Sequence, residues 1–397
     1  MDDDGGFTGT VFEPGSGVEW PALLLKESAL RHNADLMARF CADRGVSLAP
    51  HGKTAVSPEL WQFQAQAGAW GVSVATPAQA RVFRRAGARR ILMANQLVDA
   101  AFARWAQDEL AAGVGFEFFC YVDSVAGVRL LEAALDPAGP ALPVLLEVGH
   151  AGGRTGCRTQ HAVDEVARAA AASDALALVG LAGYEGSVSH SRDAEALGAV
   201  AAYLRDVVGH FERLAAAGLL DGGASEYLLS AGGSLYFDVV AEVFAPVRVA
   251  GHAVRTVLRS GAYLTHDHGL YERLSPLGAA EGGGFVAAGE VWAQVLSVPE
   301  PGLVILNAGR RDLPYDQGLP TPLGHGTGND LRPLEGAEIV ELNDQHAFMR
   351  TAAGAEPAVG SLVVLGTSHP CTLHDKWPRA LLVDDQYRQV GTVHSYF

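Results

Sequence analysis

Lys53 is the side chain in this sequence with the clearest capacity for covalent chemistry. It lies in Pro50-His51-Gly52-Lys53-Thr54, after a short apolar run and before an amphipathic segment that begins near Ser57. This position predicts the carboxyl end of a strand, where (β/α) barrels carry their reactive groups. An amine placed there can form a Schiff base with an aldehyde cofactor. Because an isolated loop lysine is most often only solvated, the assignment depends on the rest of the chain.

A second chemically capable pair is His369 and Cys371, within residues 367–375. Residues two apart in an extended segment point to the same face, so an imidazole and a thiolate can reach one ion together. This donor set suits zinc, with the remaining coordination positions left for water or substrate. The alternative is a buried cysteine beside a loop histidine. The pair therefore predicts a metal site only if other features agree with it.

Glycine-rich or polar turns follow four of the predicted strands. They occupy residues 149–156 after the fifth strand, 184–186 after the sixth, 230–234 after the seventh and 260–263 after the eighth. Glycine lets backbone N–H groups approach an anion closely, and the last two strands of such barrels commonly hold a phosphate. Each glycine taken singly also fits an ordinary turn. Their joint placement on the last two strands favours a phosphate cradle.

An alternation of short β-rich runs with helical patterns positions these groups. The eight candidate strands are residues 46–50, 70–75, 91–95, 116–122, 143–149, 178–184, 227–231 and 254–263. Helical patterns rich in Ala, Leu and Arg lie between them, at 77–86, 100–112, 124–134, 160–172 and 192–217. Eight βα units favour an α/β fold with a closed (β/α)8 TIM-type barrel over an open doubly wound sheet. Periodicity does not itself show closure, so the open sheet stays as the alternative.

The pattern changes near residue 275, where a Pro- and Gly-rich stretch predicts a linker. Strand-like runs without helical partners follow, at 285–298, 303–306, 338–343, 361–365, 380–383 and 390–395. We therefore predict a flexible N-terminal segment at 1–19, the barrel at 20–274 and a C-terminal β-rich domain at 275–397. A Gly/Pro-rich loop at 310–332 is long enough to serve an active site or an interface.

Composition narrows the class of protein. A chain of 397 residues with 49% hydrophobic and 19% charged residues fits a compact enzyme of two domains. The net charge of −16 argues against a nucleic-acid partner, and no apolar run is long enough to cross a bilayer. The acidic, glycine-rich residues 1–6 are unlike a secretory or transit peptide. Four scattered cysteines do not form a disulfide framework, so we expect a cytoplasmic protein.

Together these motifs resemble the D-serine dehydratase and D-threonine aldolase family, a branch of the fold-type III, alanine-racemase-like pyridoxal phosphate enzymes. The resemblance covers nearly the whole chain. Its most specific motifs are the lysine block at 50–54 and the His369–Cys371 pair. The other matching stretches are Asn33 and residues 21–24, 68–72, 94–96, 147–149, 154–156 and 183–186.

The resemblance implies pyridoxal 5′-phosphate on Lys53, which is also the implied catalytic base. It implies a divalent metal, zinc or manganese, held by His369 and Cys371. The residues implied to bind the cofactor are His51, Arg154, Tyr184, Ser230, Gly232, Gly233, Ser234, Gly261 and Tyr263. Family members form homodimers with sites at the interface, and their N-terminal strand joins the β domain.

The predicted reaction is deaminating dehydration of a D-configured β-hydroxy-α-amino acid to a 2-oxo acid and ammonia, with D-serine, D-threonine, 3-hydroxyaspartate or phenylserine as the substrate type. Hydroxide is a poor leaving group, and a metal on the β-hydroxyl would act as a Lewis acid. Family dehydratases carry His-x-Cys at the metal and the aldolases carry His-x-Asp, so Cys371 favours elimination. The alternatives are a D-threonine-type aldolase, a non-catalytic pyridoxal phosphate carrier and an amino-acid racemase. A carrier needs no metal, and a racemase needs a second base opposite Lys53.

Two departures from the family pattern bear on the substrate. Many members read Lys-Thr-His-Lys, whereas Thr54 is followed here by Ala55 and Val56. Asn307 and Arg310 stand where other members tend to have Asp and Lys. We therefore expect a substrate whose side chain is larger than that of serine.

Three further residues have the types that bind metals. His266 and His268 flank Asp267, but the simpler expectation for both is solvation in a loop. Cys157 is expected to be a small core residue.

Overall fold

The computed structural model describes residues 9–113, 115–278, 283–328 and 330–397. The chain divides into two compact units. The barrel unit comprises Met37–Lys53 and Gln64–Gly261, and the sheet unit comprises the described residues up to Leu36, Thr54–Phe63 and those from Ala262 onward. Residues 1–8 of the predicted N-terminal segment and 279–282 of the predicted linker lie outside the described residues.

The barrel unit contains an eight-stranded parallel sheet, in which β1, Ala22–Lys26, takes no part. Its strands are β2 (Ser47–Leu48), β3 (Val72–Val74), β4 (Arg90–Gln96), β5 (Glu117–Val122), β6 (Leu142–Val148), β7 (Leu176–Gly183), β8 (Glu226–Ala231) and β9 (Ala253–Leu258). Their order in the sheet is β2-β9-β8-β7-β6-β5-β4-β3. Hydrogen bonds from Trp70 N to Leu48 O (2.8 Å) and from Ser73 N to Pro50 O (2.9 Å) join the two ends. The predicted closed barrel is therefore confirmed.

Capping residues explain where several barrel helices begin. Ser124 lies just after β5, and its hydroxyl accepts a hydrogen bond from Gly127 N at 3.1 Å, which satisfies one free N–H of the first turn. Thr76, Asp99, Thr159 and Asp193 cap their helices in the same way. The helices are α1 (Glu27–Arg44), α2 (Pro58–Gln66), α3 (Pro77–Arg85), α4 (Ala100–Ala112), α5 (Val125–Ala134), α6 (Gln160–Ala171), α7 (Ala194–Ala216), α8 (Phe237–Phe244) and α9 (Leu270–Leu274).

Side chains from almost every strand fill the interior of the barrel, so it is a packed core and not a pore. This arrangement leaves the chemistry to the residues at the carboxyl ends of the strands, which we call the barrel mouth. The buried cluster consists of Ala49, Leu92, Phe119, Tyr121, Leu145, Val179, Ala182, Leu228 and Val257.

The sheet unit is built on a nine-stranded, mostly antiparallel sheet. Besides β1 it contains β10 (Gly289–Glu300), β11 (Leu303–Leu306), β12 (Thr321–His325), β13 (Glu338–Leu342), β14 (Ala347–Arg350), β15 (Leu362–Gly366), β16 (Arg379–Val383) and β17 (Gln389–His394). The order is β13-β14-β11-β10-β1-β16-β17, and β15 pairs with both β10 and β12. The strand β15 leads directly into the segment that carries His369 and Cys371.

The division of the chain differs from the predicted boundaries at three places, one of which is Thr54–Phe63, a segment of the sheet unit inside the predicted barrel range. The first strand, β1, pairs with β10 and β16, although the sequence division assigns residues from 20 onward to the barrel. Residues 262–274 likewise belong to the sheet unit and not to the barrel. The N-terminal strand does join the β domain. Its two partners lie more than 250 residues away, so local periodicity cannot show which sheet it enters.

Two strands of the sheet unit were absent from the prediction. The strand β12 lies inside the predicted loop 310–332, and β14 was not recognised at all. Pro322 conceals β12, because proline usually argues against a strand and is tolerated where the strand is at a sheet edge. Among the described residues, β12 pairs with β15 alone. In the described part of the chain, no helix has the length and apolar character needed to span a membrane.

Candidate active site

Lys53 lies at the barrel mouth, in the 3₁₀ turn Gly52–Thr54 that follows β2, and its side chain is exposed. Glycine is required just before it, since a Cβ on Gly52 would stand 2.3 Å from the ring of Phe83. Gly261, after β9, is restricted in the same way, because a Cβ there would stand 2.3 Å from the carbonyl oxygen of His51. Gly52 therefore lets the chain beside Lys53 pass close to the Phe83 ring, and Gly261 lets the turn after β9 pass close to the backbone of His51.

Positive charge accumulates around His51. Burial, together with the charges of Lys53, Arg259 and Arg154, holds the pKa of His51 well below its usual value. The imidazole is therefore neutral at pH 7. Its buried Nδ1 has no hydrogen-bond partner among the residues that the structure describes. A cofactor that brings an anionic phosphate suits this surplus of positive charge.

Arg259 is a site residue that the sequence analysis missed. It is buried, and its guanidinium donates to Ser230 Oγ at 2.8 Å and to Gly183 O at 2.7 Å. It thereby ties the end of β9 to the ends of β8 and β7. The signal in the sequence is a charged residue that ends an apolar strand just before Ser260-Gly261.

The predicted phosphate cradle after β8 already contacts a carboxylate. Glu185 is fully buried and accepts hydrogen bonds from Gly232 N at 3.0 Å and Gly233 N at 2.5 Å. Gly232 has φ +96°, a backbone conformation that glycine adopts readily. Ser234 follows in the same turn and is half-buried. Glu185 therefore fixes the turn that was expected to bind the phosphate.

Tyr184 and Arg154, which the resemblance implies bind the cofactor, lie side by side. The guanidinium of Arg154 lies 4.9 Å from the centroid of the Tyr184 ring. The backbone N–H of Tyr184 donates to Tyr203 OH at 3.0 Å, and this hydroxyl donates to Val148 O at 2.7 Å. Tyr203 of α7 therefore joins the carboxyl ends of β6 and β7, and no pattern along the chain signals this role.

The sheet unit carries the predicted metal ligands. His369 has an extended backbone, but Pro370–Thr372 form a 3₁₀ turn, so the segment is not extended through Cys371 as expected. His369 Nδ1 lies 2.7 Å from Asp316 Oδ2. Burial alone disfavours the imidazolium, but the Cys371 thiolate and the Asp316 carboxylate outweigh burial and raise the pKa of His369 to about 9. The side chains of His369 and Cys371 interact, but in a 3₁₀ turn and not in the extended segment that the spacing argument assumed.

The donor set at this pair is small. Cys371 Sγ lies 3.6 Å from Thr54 Oγ1. Among the described residues, no group of three or more His, Cys, Asp or Glu side chains is arranged to hold a metal ion. An ion at His369 and Cys371 would therefore take its other donors from water or substrate, which is typical of a catalytic site and not of a structural one.

The histidines expected to be solvated are instead packed. His266 is 2% exposed, and the buried Nδ1 of His268 lacks a partner in the described part of the chain. The reason is that this segment packs on the strand that leads to His369: His268 N donates to Thr367 O at 2.9 Å. Cys157 is buried as predicted, and Tyr263 is buried beside the ring of Phe285 at 5.4 Å between centroids.

Comparison with known protein families gives two matches. Residues 25–241 match the alanine racemase N-terminal domain, and residues 288–383 match the putative serine dehydratase domain. The first match covers more than half of the chain. The second contains the segment with His369 and Cys371.

Curated relatives match over most of the chain. A D-threonine aldolase of Arthrobacter sp. is 28% identical over 369 residues, which cover 91% of this chain and 89% of that protein. The D-threo-3-hydroxyaspartate dehydratase of Delftia sp. strain HT23 is 27% identical over 396 residues, covering 96% and 98%. The relatives therefore include both an aldolase and a dehydratase.

Solved structures share the fold. The D-threonine aldolase from Filomicrobium marinum superposes with a TM-score of 0.78 at 27% identity, covering 95% of each chain. A mutant of the D-threo-3-hydroxyaspartate dehydratase with cysteine replaced by alanine, described as the metal-free form, superposes with a TM-score of 0.73 at 23% identity, covering 96% of this chain and 98% of that one.

Proposed function

The chain belongs to the alanine racemase N-terminal domain family of fold-type III pyridoxal phosphate enzymes, and we propose that it is a metal-dependent dehydratase of a D-configured β-hydroxy-α-amino acid. The products would be a 2-oxo acid and ammonia. Its relatives are lyases of D-configured hydroxy amino acids. The dehydration, the substrate and the metal's identity are the parts that we propose.

The barrel mouth has the chemistry that pyridoxal phosphate requires. Lys53 supplies an amine in an exposed position beside the end of β2. Arg154 and Arg259 supply positive charge, and the orphaned Nδ1 of His51 leaves a buried polar atom for a ligand to satisfy. We assign Lys53 to the cofactor aldehyde, and the two arginines to the negative charge of cofactor and substrate.

The His369–Cys371 pair has the chemistry that zinc requires. An imidazole and a thiolate are its preferred nitrogen and sulfur ligands. Asp316 contacts Nδ1 of the imidazole and so leaves Nε2 for an ion. A solved structure of a D-threo-3-hydroxyaspartate dehydratase in which cysteine is replaced by alanine is described as the metal-free form. These features support His369 and Cys371 as the ligands of a divalent metal.

The proposed reaction needs few groups. When bound, the cofactor ring withdraws electrons from the substrate Cα, and the metal acts as a Lewis acid on the β-hydroxyl. Lys53 Nζ takes the Cα proton as general base. His369 and Cys371 would hold the ion, and the departing hydroxide would receive the proton that Lys53 took from Cα, so that water is lost. The released unsaturated amine hydrolyses to the 2-oxo acid and ammonia.

The observation that carries this proposal is the pairing of a thiol with an imidazole at His369 and Cys371. In the family that the chain resembles, the dehydratases carry cysteine at this position and the aldolases carry aspartate. The alternative function is a D-threonine-type aldolase that yields glycine and an aldehyde, which the Arthrobacter relative favours. Both reactions use the same cofactor and metal.

The deciding experiment incubates the cofactor-loaded protein with zinc or manganese and a panel of D- and L-β-hydroxy-α-amino acids. We expect ammonia and a 2-oxo acid from D isomers, with turnover that stops after chelation and returns with metal. Glycine and an aldehyde would establish the aldolase instead. Turnover that persists without metal, or in Cys371→Ala, would reject the role of the ion.

A further inference from the structure

The geometry points to Asp316 as the positioning residue of the metal centre, a role that rests on the proposed function because it presupposes the ion. Asp316 belongs to the loop 310–332, whose purpose the sequence left open between an active site and an interface. Its carboxylate is 2.7 Å from His369 Nδ1 through Oδ2 and 2.5 Å from Thr372 Oγ1 through Oδ1. Both carboxylate oxygens therefore contact the segment that carries the proposed metal ligands.

The loop around Asp316 is attached to the ligand segment at more than one point. Ser368 Oγ donates to Gly318 O at 2.7 Å and approaches Pro314 O at 3.4 Å. Trp377, on the other side of the ligand pair, donates from Nε1 to Asp312 O at 2.8 Å. These contacts hold residues 312–318 against residues 368–377. The position of Asp316 is thus set by its neighbours and not by its own contact with His369.

The contact fixes the tautomer and orientation of the imidazole. An ionised carboxylate only accepts hydrogen bonds, so Nδ1 of His369 must carry the proton that it shares with Asp316. When an ion displaces the other ring proton, the lone pair lies on Nε2, which is the atom available to the ion. Carboxylates that bind the second nitrogen of a metal-bound histidine orient the ring and raise its basicity. Asp316 therefore acts through His369 and does not itself touch the metal.

Thr372 makes this arrangement more rigid. The Asp316 side chain is 38% exposed, so a single hydrogen bond to His369 would compete with water. The Thr372 hydroxyl holds the second oxygen and limits rotation of the carboxylate. Because Thr372 directly follows Cys371, the same carboxylate contacts one proposed ligand and the chain neighbour of the other. Loss of Asp316 should therefore affect metal binding before it affects folding.

The test measures zinc affinity of the cofactor-free protein by competition with a chromophoric chelator. We expect Asp316→Ala to weaken zinc binding by about 10- to 100-fold, the usual effect of removing such a partner. Asp316→Asn keeps an acceptor for Nδ1 but loses the charge, so it should recover part of the affinity. Thr372→Val should cause a smaller loss of zinc affinity. The control is Asp344→Ala, which should cause no loss. Asp344 is an exposed aspartate whose partner in the described salt bridges is the exposed Arg311.

Cobalt(II) provides a readout of the ligands themselves. At saturating cobalt, Asp316→Ala should keep the thiolate-to-metal absorption of the parent protein, because Cys371 remains a ligand. Zinc affinity within about twofold of the parent would overturn the inference. So would a loss as large as that of Cys371→Ala, since it would make Asp316 a ligand. If the parent protein itself binds no zinc, the proposed function fails along with the inference, whereas the other results leave that function intact.

Discussion

Thr54 Oγ1 lies 3.6 Å from Cys371 Sγ, although the two residues are 317 positions apart in the sequence. Thr54 is also the residue that directly follows Lys53. Thr54 is therefore both the chain neighbour of the lysine proposed to bind the cofactor and a direct contact of the sulfur proposed to bind the metal.

Removal of the Thr54 hydroxyl should weaken the metal centre and leave the cofactor in place. In Thr54→Val the thiol of Cys371 loses a hydrogen-bonding neighbour, which is worth about 1 kcal/mol or roughly a fivefold change in zinc affinity. Thr54→Ser keeps the hydroxyl and serves as the matched control. Chelator competition measures the affinity, and the visible absorption of bound pyridoxal phosphate reports the cofactor. Equal zinc affinity in both variants would show that the contact has no part in binding.

Lys53 should be the residue that bonds to the cofactor. Reduction of the loaded protein with borohydride fixes the cofactor to its amine, and peptide mass mapping should find the added mass on Lys53. Lys53→Ala should show no such adduct and should lose at least about 100-fold in turnover, the usual contribution of a general base. Lys376→Ala is the matched control, because Lys376 lies in the sheet unit beside Asp375. An adduct on Lys376 or Lys26 would overturn the assignment.

Features formed by residues that are close together in the sequence could be predicted. Lys53 stands in a five-residue block, and His369 and Cys371 are two positions apart. Spacing alone made them candidates, and the resemblance to a known family was needed to predict their roles. Alternating strands and helices likewise predicted the barrel, since each βα unit is a local pattern. The helices α3 to α7 lie within two residues of the predicted bounds for the same reason.

Residues whose roles depend on distant partners were missed. Asp316 meets His369 across 53 positions, and Glu185 meets Gly232 across 47. No pattern along the chain signals either contact. The strand β1 was placed on the wrong side of the domain boundary because its partners are equally remote. The strand β12 was not predicted because it contains Pro322. Proline is tolerated in this strand because the strand lies at the edge of the sheet.

Glu185 should stabilise the turn after β8. In Glu185→Gln, the side-chain amide can no longer accept from both Gly232 N and Gly233 N, so one buried N–H loses its acceptor. Such a loss costs about 2 kcal/mol, to be measured as the free energy of unfolding of the cofactor-free protein in urea. Glu195→Gln changes an exposed residue of α7 by the same atoms and should leave the stability within about 0.5 kcal/mol. If the two variants are equally stable, Glu185 does not hold the turn in solution.

His374 should make the protein sensitive to mild acid. It is 1% exposed, and burial lowers its pKa to about 4, while an unfolded chain gives histidine its usual value near 6.5. Between these values the unfolded state binds more protons than the folded state, so stability rises with pH and falls as the pH drops from about 6.5 to about 4. The full effect of this one residue is on the order of 3 kcal/mol. Urea unfolding at pH 7 and pH 4.5 measures the loss of unfolding free energy on acidification. This loss should be smaller in His374→Gln than in the parent protein, because the glutamine side chain does not titrate. The control His161→Gln changes an exposed residue of α6 and should lose as much stability between pH 7 and pH 4.5 as the parent protein. If His374→Gln also loses as much stability as the parent, other groups cause the acid sensitivity.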